Sequence, residues 1–257
     1  MKIVVIGASG RIGDILTRKL LLADCEVFAA APTYGVDSVT GVGLAEALAD
    51  ADILIDVSNS HSVEGAAAIR FFGTSCRNLI AAGHRGGIRH HIILSIVGVD
   101  RLTTAGYFEA KKLQEDLIRE SGTPFTIVRS TQFFEFIRDV VQDGTACAIP
   151  VSTAFVQPIS GGDIADALAR AAFGDPANAV VEIAGPEQIR LCDVAAEIAT
   201  AFEDERSVVP DSHAPYFGAE IGERALLPGW DVRVASRRFD DWFRDSLQPS
   251  WAKIPTD

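Results

Sequence analysis

A glycine-rich segment close to the amino terminus constrains the fold more than any other feature of the chain. The strand-like apolar run from Ile3 to Ile6 leads into a G-x-x-G-x-x-G segment, and apolar residues at helical spacing follow it. This order places backbone N–H groups and the positive end of a helix at one point, where they can bind phosphate groups. A plain tight turn is the alternative, but the position between a strand and a helix favours dinucleotide binding. We predict that the pyrophosphate of a dinucleotide binds the glycine loop, which consists of Gly7, Ala8, Ser9, Gly10, Arg11, Ile12 and Gly13.

Strand-length apolar runs alternate with helical segments through the first half of the chain. The pattern predicts strands at residues 2–7, 25–31, 52–57, 91–97 and 125–129, and helices at residues 11–22, 44–48, 63–79 and about 106–120. Such alternation is typical of βαβ units on a parallel sheet.

Beyond Thr131 the pattern becomes less regular. It predicts short strands near residues 146–149, 155–159 and 180–183 and helices at residues 163–173 and 191–202. We therefore predict an α/β fold, a Rossmann-type doubly wound parallel sheet with a small mixed C-terminal substrate cap. Residues 1–257 form one domain in this prediction, with the dinucleotide-binding core in about 1–130 and mainly cap elements in about 131–257.

Charge and cysteine usage limit the classes of partner. The 257 residues carry a formal net charge of −12, which disfavours nucleic acid and anionic membranes as partners and leaves a small-molecule substrate. No apolar run reaches the length of a membrane span, and the first strand leaves no room for a signal peptide, so we expect a cytoplasmic protein. The four cysteines form no CxxC or Cys/His cluster, so no metal site is expected. The oligomeric state stays open.

The end of the second strand bears on which dinucleotide is bound. An acidic residue there would bind the ribose 2′-hydroxyl of NAD and repel a 2′-phosphate, but residues 28–34 contain no carboxylate. Arg11 in the glycine loop and Thr33 could both bind a 2′-phosphate. NADP is therefore the preferred cofactor and NAD the alternative. A solvated cation at a helix start is the other interpretation of Arg11.

The third strand ends in a polar segment at the same edge of the sheet. Val57, Ser58 and Asn59 follow that strand, and we predict that they line the adenosine side of the cofactor. An ordinary turn would use the same residue types.

A tyrosine and a lysine lie one helical turn apart after the fourth strand. Tyr107 and Lys111 share one face of the predicted helix. An ammonium about 4 to 6 Å from the phenol would lower the tyrosine pKa towards neutral pH, and Lys111 could also hold the cofactor ribose. Ser95, which closes the fourth strand, could orient a substrate carbonyl. A surface pair of Lys111 with Glu115 is the alternative interpretation.

These residues resemble the atypical short-chain dehydrogenase/reductase superfamily, and its NmrA-like NAD(P)H-binding branch most closely. The resemblance rests on the glycine loop, on Tyr107 with Lys111, and on the run from Gly122 to Arg129, and it extends over nearly the whole chain. It implies a Rossmann-type core and a nicotinamide cofactor. It also implies that residues 130–133 pass the nicotinamide, which adds Thr131 to the cofactor-binding residues. More orthodox members have a Ser-Ser pair where this chain has Ser95-Ile96.

Three functional hypotheses follow. The leading one is an NAD(P)H-dependent oxidoreductase that transfers hydride from NADPH to a carbonyl or quinone, with Tyr107, Lys111 and Ser95 as catalytic residues. The alternatives are a non-catalytic NAD(P)H sensor and an epimerase or dehydratase with tightly held NAD. A quinone or aromatic ketone would suit the aromatic residues if these line the cleft rather than the core: Phe133, Phe134, Phe136, Phe239, Trp242 and Phe243.

Overall fold

A seven-stranded parallel sheet forms the centre of the molecule. The computed structural model describes residues 1–62, 64–102, 106–142 and 148–247. Its strands are β1 (Lys2–Ile6), β2 (Glu26–Ala30), β3 (Ile53–Asp56), β4 (His90–Ile96), β5 (Phe125–Ser130), β6 (Ala148–Val151), β7 (Phe155–Val156), β8 (Ala179–Ala184), β9 (Ile189–Arg190), β10 (Ser207–Pro210) and β11 (Arg233–Val234). Its α-helices are α1 (Arg11–Leu22), α2 (Leu44–Leu48), α3 (Gly65–Gly86), α4 (Gly106–Glu120), α5 (Phe134–Gln142), α6 (Gly161–Phe173), α7 (Leu191–Ala201) and α8 (Phe239–Leu247).

The strand order places the end of β1 at a switch point of the sheet. The order is β11-β8-β5-β4-β3-β1-β2, and all of these strands run parallel. The chain passes from β2 on one side of β1 directly to β3 on the other side. Loops that leave neighbouring strands towards opposite faces open a crevice at such a point, and ligands of open α/β sheets bind there.

Helices cover both faces of the sheet, as the doubly wound prediction requires. Ile3 and Val5 of β1 belong to the same core cluster as α1 and α6, whereas Val4 and Ile6 face α2 and α3. This alternation follows from the pleat of a strand whose two faces are both buried. No helix in the described parts of the chain is long and apolar enough to cross a membrane.

Most elements of the first half lie within about one residue of their predicted bounds, and α3 is the main exception. This helix runs to Gly86, beyond the predicted end at residue 79, and Gly86 packs against Leu48 of α2. A Cβ at this position would lie 2.3 Å from the carbonyl oxygen of Leu48. Glycine usually weakens a helix, but at position 86 a residue without a Cβ is needed for the close contact with Leu48.

The second half is mixed, and part of it returns to the main sheet. Strands β8 and β11 and helix α6 join the core, while β6 pairs with β10 and β7 pairs with β9 in two small sheets. The strand predicted at 146–149 is observed at 148–151, and its first two predicted positions lie outside the described residues. The aromatic segment after Thr131 forms helix α5. The boundary near residue 130 stays a prediction.

A buried ionic cluster ties α4 to β5 beneath the sheet edge. Glu115 is fully buried, and its two carboxylate oxygens accept hydrogen bonds at 2.8 Å from Nε and Nη2 of Arg129. Ser95 Oγ and Arg119 Nη2 each donate a further bond at 2.7 Å. Burial alone would raise the pKa of Glu115, but the bonds from Arg129 and Ser95 outweigh it and hold the pKa below the ordinary value.

We expect Glu115→Gln to lower the free energy of unfolding by about 3–5 kcal/mol at pH 7, because it leaves the Arg129 charge without its buried partner. Because the folded pKa is depressed, this contribution is complete above the unfolded pKa of about 4.3 and is lost as the pH falls through the folded pKa. Urea unfolding from pH 7 to pH 3 measures it. The control is Glu120→Gln at the exposed end of α4, expected to stay within about 0.5 kcal/mol. Equal losses in the two variants would contradict the assignment.

Candidate functional site

The glycine loop forms a tight turn between β1 and α1. Gly7 has φ = 84°, and the N–H groups of Gly7 and Ala8 both donate to the carbonyl oxygen of Ala30, at 2.9 and 3.1 Å. A Cβ on Gly13 would lie 2.2 Å from the carbonyl oxygen of Gly7, so the helix start presses directly on the loop. Helix α1 has Gly10 at its N-cap with no side-chain capping bond, which leaves its first turn open to an anion.

The side chains of the loop divide into two groups. Ala8 and Ile12 are buried in the core, so only their backbone atoms can contact a ligand. Ser9 and Arg11 are exposed at the edge of the sheet. Thr33 is also exposed, in the short 3₁₀ turn Pro32–Tyr34 that follows β2.

The segment after β3 lies against the glycine loop. A Cβ on Gly7 would come within 2.8 Å of the backbone nitrogen of Ser58. Ser58 donates from its backbone N–H and its hydroxyl to Asp56 Oδ1, at 2.9 and 2.6 Å, and Val57 N–H donates to the carbonyl oxygen of Ile6. Asn59, which is exposed, therefore extends from a firmly held turn.

Tyr107 reaches this segment from the first turn of α4. Its hydroxyl donates to Asn59 Oδ1 at 2.7 Å. Burial raises the pKa of Tyr107, and no nearby charge opposes this shift. The spacing to Lys111 predicted a lowered pKa, so the observed shift has the opposite direction. In the protein alone Tyr107 is a protonated phenol.

Lys111 lies on the same face of α4, but its side chain is buried in the protein interior. Both side chains contact Phe72 of α3: the Tyr107 ring meets it edge-on, and the Lys111 ammonium lies 4.4 Å from its centroid. The ammonium donates to the carbonyl oxygen of Leu94 at 2.7 Å and to Gln114 Oε1. Burial lowers the pKa of Lys111 to about 8, although the nearby carboxylates oppose this shift. Two of the three N–H bonds of the ammonium are thus used within the protein, which leaves one for a ligand such as a ribose.

Ser95 does not reach the cleft, so the prediction that it orients a substrate carbonyl is wrong for this structure. Side chains alternate along β4, and Ser95 points towards α4, where it is fully buried and bonded to Glu115. The next residue, Ile96, faces the cleft instead.

The cleft at the carboxyl ends of β3, β4 and β5 is mostly aromatic and apolar. We call it the aromatic cleft; its lining residues are Asn59, Ile96, Val97, Tyr107, Phe108, Ser130, Thr131, Gln132, Phe133, Phe136, Tyr216 and Phe217. Of the six aromatic residues considered from the sequence, Phe133 and Phe136 line it, whereas Phe134, Phe239, Trp242 and Phe243 pack together in the cap core.

Two buried polar atoms at the aromatic cleft lack partners. Ser130 Oγ and Gln132 Oε1 have no hydrogen-bond partner among the described residues, although Ser130 is 1% and Gln132 is 9% exposed. The hydroxyl of Thr131, between them, already has a partner, because it donates to the carbonyl oxygen of Gln157 at 2.6 Å. The family resemblance implied Thr131 as the cofactor-binding residue of this segment, but among the described residues it is its neighbours that have unsatisfied polar atoms. A buried polar group without a partner is costly unless a ligand satisfies it.

Comparison with known proteins identifies the family. The profile of an NAD(P)H-binding family matches residues 7–175, which is well over half of the chain. The chain belongs to the NAD(P)H-binding family. A search of curated proteins finds no significant match.

Solved structures of two reductases and an epimerase share the fold. The dTDP-4-dehydrorhamnose reductase of Clostridium acetobutylicum is 16% identical, with a TM-score of 0.69 over 88% of this chain and 90% of that one. The UDP-glucose 4-epimerase of Thermus thermophilus, solved with NAD, gives the same identity, coverage and TM-score. The dTDP-4-dehydrorhamnose reductase of Bacillus anthracis, solved with NADP, is 15% identical, with a TM-score of 0.66 over 90% of this chain and 94% of that one. The family match and the shared fold agree with the nicotinamide cofactor and the Rossmann-type core that the resemblance implies.

The residues present fit the cofactor of the NAD(P)H-binding family. Gly13 lets the start of α1 pack directly against Gly7 and Ala8, and the first turn of α1 has no side-chain cap. This is the arrangement that a pyrophosphate needs. Ser130 and Gln132 provide unsatisfied polar atoms at the cleft.

Proposed function

We propose that the protein is an NADPH-dependent reductase of a flat carbonyl or quinone substrate. The observation that carries the proposal is the Tyr107 hydroxyl at the aromatic cleft, bonded to Asn59 in the segment that touches the glycine loop. The same cleft holds the unpartnered atoms of Ser130 and Gln132 among apolar walls. The expected cofactor site therefore adjoins a proton donor, groups that can orient a substrate, and an apolar surface.

In this proposal each group of residues has a separate role in the reduction. NADPH supplies the hydride when bound. The glycine loop holds the pyrophosphate, Ser130 donates a hydrogen bond to the substrate oxygen, and Tyr107 transfers its phenolic proton to that oxygen as the carbon becomes saturated. Because burial raises the pKa of Tyr107, the residue starts in the protonated form that this step requires. Water then returns a proton to the phenolate, and the restored hydroxyl again donates to Asn59 Oδ1.

The character of the aromatic cleft favours a flat substrate. The names of the structurally similar reductases and epimerases refer to sugar nucleotides, whose sugars carry many hydroxyl groups. Here most lining side chains are aromatic or aliphatic, with few polar groups among them. A quinone or aromatic ketone matches that surface better.

The position of Lys111 favours a second candidate function, a cofactor sensor. Its ammonium is bonded to Leu94 and Gln114 rather than placed beside Tyr107. A protein that binds NADPH without activating the tyrosine would report cofactor state to a partner and catalyse nothing.

The test is an assay of NADPH and NADH oxidation by the purified protein against 1,4-naphthoquinone, acetophenone, cyclohexanone and a dTDP-4-keto sugar. Turnover of the flat substrates supports the proposal. Tight NADPH binding without turnover of any substrate overturns it in favour of the sensor. Purified protein that retains NAD and consumes no reductant overturns it in favour of an epimerase or dehydratase.

The preference for NADPH rests on Arg11 and Thr33 at the sheet edge. We expect Arg11→Ala to raise the Kd for NADPH about tenfold and to leave the Kd for NADH unchanged, because a charge-assisted bond to the 2′-phosphate is lost. Titration of intrinsic fluorescence measures both constants. Arg18→Ala, which removes an exposed arginine paired with Asp14 on the same helix, is the matched control. Equal changes for NADPH and NADH would contradict the assignment.

The roles of two serines can be separated by a matched pair of variants. We expect Ser130→Ala to lower kcat/KM for the substrate about tenfold, because the substrate oxygen loses one donor. Ser95→Ala should leave kcat/KM unchanged and lower stability by about 1 kcal/mol, since it removes only one bond to Glu115. Steady-state kinetics and urea unfolding report the two effects. Loss of turnover in Ser95→Ala would restore the role predicted from the sequence.

A further inference from the structure

A hairpin from the second half of the chain inserts a phenylalanine into the aromatic cleft. Tyr216 and Ala219 exchange both backbone hydrogen bonds, Tyr216 N–H to Ala219 at 2.8 Å and Ala219 N–H to Tyr216 at 3.1 Å. The residues between them, Phe217 and Gly218, have φ values of 50° and 79°. These values describe a tight two-residue turn with both central residues in the left-handed region. Phe217 is thus the tip of the hairpin.

The ring of Phe217 is held between two parallel rings. Its centroid lies 5.0 Å from that of Tyr107 and 5.4 Å from that of Phe136, with an interplanar angle of 13° in each case. Tyr216 meets it edge-on at 4.8 Å. Tyr107 and Phe136 therefore form a slot that accommodates one flat ring, and Phe217 fills it.

The backbone of Phe217 is unfavourable for the residue it carries. Bulky side chains rarely adopt positive φ, because the left-handed region brings Cβ too close to the following carbonyl oxygen. Asn, Asp or Gly normally occupies this turn position. Stacking on Tyr107 and Phe136 offsets this cost.

We propose that the slot between Tyr107 and Phe136 is the subsite for the flat ring of the substrate, and that the substrate displaces Phe217 from it. This inference rests on the proposed function. The ligand class is a planar aromatic or quinonoid ring whose oxygen accepts a hydrogen bond from Ser130 Oγ or, where it is a hydroxyl, donates one to Gln132 Oε1; both unpartnered atoms belong to residues that line the same cleft. The ring would stack on Tyr107, beside the proton that reduction needs. Phe217 then selects against ligands that stack too weakly to replace it.

The first experiment follows Phe217 directly in the intact protein. 4-Fluorophenylalanine is placed at position 217, and its ¹⁹F resonance is recorded alone, with NADP⁺, and with NADP⁺ plus 2-naphthol, a flat ligand that NADPH does not reduce. We expect NADP⁺ alone to leave the resonance at the chemical shift of the stacked ring. We expect 2-naphthol to move it to the chemical shift of an exposed ring. A shift produced by NADP⁺ alone would assign the slot to the nicotinamide and overturn the proposal. No shift with either ligand would also overturn it.

The second experiment compares affinities. Phe217→Ala removes the competing ring, so we expect it to lower the Kd for 2-naphthol three- to tenfold, while Phe173→Ala, at an exposed ring on α6, leaves it unchanged. An unchanged or weaker affinity in Phe217→Ala would mean that Phe217 is a fixed wall of the site. If Phe217→Ala fails to fold, the ¹⁹F measurement decides.

The two proposals fail in distinguishable ways. Binding of 2-naphthol needs no turnover, so displacement of Phe217 in a protein that reduces nothing would overturn the reductase alone. Turnover of 1,4-naphthoquinone with Phe217 still stacked would overturn the displacement alone.

Discussion

Gly13→Ala is expected to raise the Kd for NADPH about 100-fold and to lower the free energy of unfolding by about 1–3 kcal/mol. The added Cβ would lie 2.2 Å from the carbonyl oxygen of Gly7 and 2.7 Å from the Cα of Ala8. Both are backbone atoms, which cannot rotate away as a side chain can. Helix α1 must therefore move off the loop, and its first-turn N–H groups move with it, away from the pyrophosphate position.

Gly162→Ala is the matched control for this variant. Gly162 also lies in the first turn of a helix, α6, but the nearest atom to a Cβ there is 3.7 Å away. We expect wild-type affinity and a gain of about 0.4–1 kcal/mol in stability. Fluorescence titration with NADPH and urea unfolding measure both variants. Wild-type affinity in Gly13→Ala would refute the assignment of the loop.

Tyr107→Phe is expected to lower kcat for aromatic ketones by a factor of about 10² to 10⁴ while the Kd for NADPH stays unchanged. The variant keeps the ring that stacks against Phe217 and removes only the hydroxyl. The bond to Asn59 is lost as well, which costs about 1 kcal/mol of stability. The proton donor is then absent and the binding surface is preserved.

Quinones provide an internal control for Tyr107→Phe, because their reduced oxygens can be protonated by water. We expect kcat for 1,4-naphthoquinone to fall far less than kcat for acetophenone. Steady-state rates with both substrates, and NADPH titration of the same preparation, make the comparison. Equal rates of the variant and the wild type with acetophenone would remove Tyr107 from the mechanism.

The parts of the fold that local sequence determines were predicted well. The glycine loop and the strands around it follow from glycine spacing and from apolar runs, which do not depend on distant residues. Helices α5 and α8 and strands β10 and β11 escaped prediction because they form part of the mixed half, where short elements depend on partners far along the chain. Strand β11, for example, pairs with β8 about 50 residues earlier.

In the candidate site, too, the features that depend on distant residues could not be predicted from the local sequence. Both faces of a parallel strand are buried, so the sequence of β4 could not tell whether Ser95 or Ile96 faces the cleft. The spacing of Tyr107 and Lys111 placed them on one helix face, but two of the groups that attract the ammonium, the Asp56 carboxylate and the Leu94 carbonyl, come from other elements. Phe217 gave no local signal, because its role depends on rings more than 80 residues away.

The packing of α6 on α1 bears on how the protein is made. Ile12, Leu16 and Leu20 of α1 share one apolar cluster with Ile164 and Leu168 of α6, and Lys19 pairs with Asp166 at 2.7 Å. A ribosome that has finished β5 needs roughly 2–9 s more to complete α6, at about 5–20 residues per second. During that interval the glycine loop has been synthesised, but the side of α1 that packs on α6 has no cover. We therefore expect the nascent chain to bind the cofactor tightly only after α6 has emerged from the ribosome.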